Sequence, residues 1–183
     1  MVCVRPQSAL ILLVVLVLTC EGAAAQQQGG RLQAAHAGNS LTELRGKRRA
    51  LLVVFRSRIV DVGPEGERAI IEDVLKADPR PKGRFRRVYF QLAEKLNSYM
   101  RKYQSVDPAD GLADADYVIY FNVVEFRKIL DTSYPYGELF VIVKGTPGEL
   151  KPPRVVWRAN KVLFAEDAIG NLIKELKAVR GES

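Results

Sequence analysis

The sequence predicts a mixed α/β fold of the α+β kind. It reads as a single mixed sheet of about four strands with three helices packed on it, in the order strand-helix-helix-strand-strand-strand-helix. Three observations carry this. "ALLVVF" (50–55) and "YVIYFNVVEF" (117–126) are apolar runs with the length and β-branched content of buried strands. Between them lie two stretches whose apolar residues recur at three- and four-residue steps, the spacing of a helix face. After the second run, the connections are short enough for antiparallel neighbours, whereas the first two strands need a long crossover and are expected to lie parallel.

The elements follow in order. "ALLVVF" is the first strand, and "RIVDVG" either extends it or forms a kinked second half. Pro64 stands where a first helical turn tolerates proline, and Ile70, Ile71, Val74 and Leu75 then fall on one helical face. "DPRPKG" ends that helix. In "RFRRVYFQLAEKLNSYMRKYQ", Phe85, Val88, Tyr89, Leu92, Leu96, Tyr99, Met100 and Tyr103 form the apolar stripe of the clearest element. Its outer face is basic. The next strand is apolar on both alternations, as expected of a central strand covered on each side. "GELFVIVKG" and "RVVWRANKV" supply two more strands, separated by the rigid, polar loop "TPGELKPP". A last helix opens with Glu166 and Asp167, buries Ile169, Leu172, Ile173, Leu176 and Val179, and closes with Lys177 and Arg180.

Residues 1–25 stand apart from this domain. Ten apolar residues from Ala9 to Leu18 follow Arg5, too few to span a bilayer, and Ala23-Ala24-Ala25 offers a small-x-small cleavage site. This is the pattern of a secretory signal peptide, with a mature chain from Gln26. Cys20 at the end of the apolar run allows a second processing, lipidation of the cysteine, although Thr19 suits that site poorly. Residues 26–40 read as a flexible leader and 41–181 as a single α/β domain. Both cysteines, Cys3 and Cys20, fall in the expected signal peptide, so the domain itself has no disulfide, thiolate nucleophile or thiolate metal site.

The net charge of +7 is unevenly placed: residues 80–102 hold eight Lys/Arg against one Glu, and residues 105–149 hold three against eight acids. Export argues against a nucleic-acid partner; the basic stretch reads first as a solvated face, and an acidic partner for it would be an envelope protein or an anionic envelope surface, with a membrane only through a lipidated Cys20.

"SVDPADGLADADYVIYF" holds Asp107, Asp110, Asp114 and Asp116, but their spacing fails the calcium-loop pattern. Turn and capping chemistry accounts for them as a polar approach to a buried strand. The one histidine, His36, lies in the leader, without a scaffold to orient it. "GPEGER" lacks the lysine and hydroxyl of a nucleotide loop. No catalytic residue, cofactor or metal site is therefore expected. In "DTSYPYGELF", Tyr134 and Tyr136 are expected in the loop before a strand, where amphipathic aromatics build contact surfaces. Trp157 reads as core. The candidate interaction surface is thus Arg86, Arg87, Lys95 and Lys102 on the basic helix face, with Tyr134 and Tyr136.

The stretch "ADADYVIYFNVVEF…GELFVIVKG…RVVWRANKV…AIGNLIKELKAV" resembles small uncharacterised exported domains of the bacterial cell envelope, periplasmic or lipoprotein in type. More distantly it resembles accessory lipoproteins that activate cell-wall synthases. The resemblance implies fold and compartment and carries no functional residue.

The leading expectation is an exported, non-enzymatic interaction or accessory domain of the cell envelope. One rival is a hydrolase of cell-wall or glycan substrates using carboxylates from Asp114, Asp116, Glu125 and Glu138, which would require them to share a cleft. Another is a small-ligand carrier with its pocket between helix and sheet.

Overall fold

The computed structural model describes residues 41–57, 64–145 and 151–183, all within the compact unit Leu32–Ser183. The expected signal peptide, the leader, "RIVDVG" and most of "TPGELKPP" lie outside the described residues. Among the described residues, five strands form one mixed sheet: β1 (Arg49–Phe55), β2 (Asp107–Pro108), β3 (Tyr117–Ile129), β4 (Thr132–Val143) and β5 (Arg154–Val162). Their order is β2-β1-β3-β4-β5. β1 and β3 are parallel across the crossover made by α1 (Pro64–Lys76) and α2 (Phe85–Tyr103), while β3, β4 and β5 form an antiparallel meander closed by α3 (Ala165–Arg180).

The strand count is one higher than expected. β2 is only two residues long, too short to show any alternation in sequence. It forms because Asp107 N–H donates to Arg48 C=O at 2.9 Å and Ala109 N–H to Ala50 C=O at 2.9 Å, beside the buried Val106.

The two faces of the sheet carry separate cores. On one, Leu92, Leu96, Tyr99 and Met100 of α2 and Ile169, Leu172 and Leu176 of α3 pack on Tyr117, Ile119, Phe121 and Trp157. On the other, Ile70, Ile71 and Val74 of α1 pack on Val118, Tyr120, Phe140 and Val155. β3 is buried on both alternations from Tyr117 to Val123 because it sits between these layers. Each fully buried Leu or Ile contributes roughly 2 kcal/mol, so either layer alone outweighs any surface ion pair. Trp157 donates from Nε1 to Glu175 at 2.9 Å, which satisfies its one polar atom inside the core.

The first and last described elements are tied together by one side chain. Arg180 donates through Nη2 to the carbonyls of Leu44 (3.2 Å) and Lys47 (2.7 Å), and through Nη1 to that of Ser105 (3.1 Å). A 3₁₀ turn at Leu41–Leu44 is thereby held against the last turn of α3, which Gly181 ends in the left-handed conformation at φ 70°.

A second correction concerns the β3–β4 connection. "DTSYPYGELF" is not a loop. β3 runs on to Ile129 and β4 begins at Thr132, so Tyr134 and Tyr136 stand within a strand. A register shift between Val123 and Glu125 breaks the alternation there, and Pro135 suggests a turn. Proline is accepted because β5 reaches only Gly137, which leaves this part of β4 at an edge. β1 likewise pairs with β3 only as far as Asn122. From Val124 to Tyr136 the hairpin is therefore a two-stranded ribbon that outruns its neighbours.

Candidate interaction surface

The basic residues of α2 do not form one surface. The ribbon packs on the start of the helix, where the Phe85 and Phe126 rings lie 5.9 Å apart and the Arg84 guanidinium stands 4.6 Å over Phe126. Arg86 and Arg87 belong to this first turn, and Arg86 lies 5.4 Å from the centre of the exposed Phe90 ring. The α1–α2 connection and the end of β1 bring further cations: Arg56, Lys76, Arg80 and Lys82 surround a depression of about 640 Å³ with Asp73 and Asp78.

This corner is electrostatically unusual for a helix start. The first turn of α2 has no acid and its cap residue, Arg84, makes no capping bond, although the positive end of the dipole favours carboxylates there. α3 follows the ordinary rule, with Glu166 and Asp167 at its start and Lys177 and Arg180 at its end. Among the described residues, only Lys82 of the eight cations in 80–102 has a carboxylate within 4 Å, that of Asp78 at 3.6 Å. Elsewhere Arg48, Arg49, Lys76, Arg127, Lys128, Arg154 and Arg158 are all paired with acids.

Lys95 and Lys102 lie further along α2, in a groove of about 520 Å³ between α2 and α3. Lys95 donates to the Glu166 carbonyl at 3.2 Å. Lys102 and Lys177 flank the Tyr103 ring at 4.9 and 4.6 Å, and hydrogen bonding to Lys102 first, then Lys177, lowers the Tyr103 hydroxyl below an ordinary tyrosine.

Tyr134 and Tyr136 sit on the ribbon, half-buried. Tyr134 meets Phe164 edge-on at 5.3 Å, and Tyr136 lies under the Arg127 guanidinium at 3.5 Å. Phe126 and its partner Pro135 take the face toward α2, so Tyr134 and Tyr136 stand on the other face of the same ribbon, away from Arg86 and Arg87. Lys95 and Lys102 belong to the other groove.

The four acids considered for hydrolysis do not all share one cleft, and each is engaged by cations or amides. Asp114 pairs with Arg49, Glu125 with Arg127, and Glu138 with Arg158 at 2.8 Å. Asp116 accepts the amides of Arg48 (2.8 Å) and Arg49 (2.9 Å). Burial works to raise its carboxyl, but these amides and the charges of Lys47 and Arg49 outweigh it and hold the group below the ordinary range. Nine residues of extended strand, roughly 30 Å, separate Asp116 from Glu125, against the roughly 5–9.5 Å that a catalytic pair needs.

Sequence reasoning missed a polar pair inside the sheet. Asn122, 1% exposed, accepts the Ser57 amide at 3.0 Å through Oδ1, and Ser57 Oγ donates to Asp73 at 2.9 Å. These bonds fix where β1 leaves the sheet. A single asparagine within "YVIYFNVVEF" was the available signal.

No helix among the described residues is long and apolar enough to cross a membrane. The chain matches no protein-family model, no curated protein and no solved structure, so its own geometry is what bears on its role.

Proposed function

We propose that this chain is an exported, non-enzymatic interaction domain of the bacterial cell envelope that binds an anionic envelope partner through the first turn of α2 and the corner beside it. The observation that carries the reading is a cluster of four arginines in one corner, Arg80, Arg84, Arg86 and Arg87, that have no carboxylate within 4 Å among the described residues, where eight other cations are ion-paired. Unneutralised like charges repel one another in the free protein, and an anionic partner relieves that repulsion. The signal-like leader supports an envelope compartment.

The test is retention of the purified protein on bacterial envelope fractions. Replacing Arg86→Glu and Arg87→Glu together is expected to weaken retention at least tenfold near 0.1 M salt. Lys151→Glu with Lys174→Glu makes the same change in net charge at exposed positions elsewhere and is expected to leave most retention in place. Equal loss in both double variants would refute the surface and leave only a general charge effect.

A further inference from the structure

The hairpin tip carries two costs at one residue. Leu130 and Asp131 form the two-residue connection between paired Ile129 and Thr132, and Leu130 adopts φ 54°. That left-handed geometry suits glycine, asparagine and aspartate, and it crowds the side chain of a leucine. Leu130 is also 92% exposed, beside Ile129 at 38%. A hairpin that had only to turn would gain from asparagine at this position on both counts. An unusual backbone conformation points to function, and here it sits under two adjacent exposed apolar side chains at the tip of a projecting element.

We propose that this end of the domain docks on an anionic lipid bilayer, with Leu130 and Ile129 entering the headgroup region while Arg84, Arg86 and Arg87 engage lipid phosphates. The inference rests on the reading above and identifies the anionic partner as a membrane surface. The distances fit. Leu130 lies four strand residues beyond Phe126, which places the tip roughly 13 Å past the Arg84 guanidinium stacked on that ring. Amphipathic elements bury their apolar side roughly 5–10 Å into the headgroup and acyl boundary. A tip at that depth leaves the arginines near the phosphates, where guanidinium forks bind two oxygens at once. Phe90, 54% exposed beneath Arg86, adds apolar surface of the kind that interfacial elements bury. Charge alone would suit any acidic partner; the exposed Leu130 singles out one with an apolar interior.

The test is cosedimentation of the chain from Gln26 to Ser183 with vesicles of phosphatidylglycerol and phosphatidylethanolamine, against phosphatidylcholine alone. This chain omits the apolar run at 9–18, so that any binding is the domain's own, and retains the whole compact unit Leu32–Ser183. Binding is expected to anionic vesicles only. It should fall at least tenfold in Leu130→Asn and in Arg86→Glu/Arg87→Glu. Leu130→Asn should melt no lower than the parent, because asparagine accepts the turn conformation, so its loss of binding cannot be ascribed to unfolding. Anionic binding that survives Leu130→Asn intact would overturn insertion of the tip. Absence of vesicle binding, with retention on lipid-free wall polymer still dependent on Arg86 and Arg87, would overturn the bilayer and leave the docking face with another acidic partner. Failure of both would remove the anionic partner altogether.

Discussion

The rings of Phe85 at the start of α2 and Phe126 at the root of the ribbon meet at a 45° tilt, 5.9 Å apart, and this contact joins the basic turn to the hairpin that outruns the sheet. The Arg84 guanidinium closes over the same ring. This pair, with the Tyr134–Phe164 contact, sets the orientation of a ribbon whose neighbours β1 and β5 stop short of it.

Removing that ring should loosen the end without unfolding the body. Phe126→Ala is expected to cost about 2 kcal/mol, roughly half the value for a core phenylalanine, since Phe126 is only half-buried. Hydrogen exchange at residues 125–135 should accelerate at least tenfold while β1 and α3 remain protected. Uniform acceleration across the unit would show that the ribbon is not a separate element.

Gly137 is predicted to be intolerant of any side chain. A Cβ there would stand 2.0 Å from the Asn122 carbonyl oxygen, a rigid backbone atom, beside the register shift that turns the ribbon out of the sheet. Gly137→Ala should lose about 2–3 kcal/mol, measured by urea unfolding. A loss below about 0.5 kcal/mol would mean that the strands separate there at little cost.

Alkaline stability should depend on Tyr117. Burial pushes its hydroxyl from about 10 up to about 12, with the Arg180 charge working against the rise. Below pH 10 the group is protonated in both states. Above it the unfolded chain ionises first, so stability is lost as pH rises from about 10 to 12, by an amount on the order of 3 kcal/mol. The hydroxyl makes no hydrogen bond among the described residues, so Tyr117→Phe should change stability by less than about 1 kcal/mol at pH 7. Between pH 8 and 11.5 the variant should lose about 2 kcal/mol less than the parent. Identical losses would assign the alkaline limb to other groups, Tyr120 among them, whose hydroxyl burial also raises.

What the sequence discloses follows from how many residues share a signal. The α2 stripe and the two-faced β3 are long and periodic, so helix, strand and central position are legible together. The ribbon is not, because the shift at Val124 inverts the alternation and Pro135 imitates a turn. β2 has no period at two residues. At the candidate surface, the cationic letters of 80–87 are plain. Whether each has a carboxylate beside it depends on contacts distant in sequence, as Arg154 with Glu43 and Arg158 with Glu138 demonstrate. Leu130 reads as one more apolar residue, since its conformation and exposure belong to the turn rather than to its own identity.

Arg180 sets an order on how the chain can fold as it is made. Its guanidinium is the donor for carbonyls at Leu44 and Lys47, more than 130 positions earlier. α3 also supplies Ile169, Leu172 and Leu176 to the core that buries Leu41 and Leu44. A nascent chain lacking its last twenty or so residues therefore has an uncovered sheet face and an unsecured beginning. The unit therefore closes only once α3 has emerged from the ribosome, so its folding waits on its last helix.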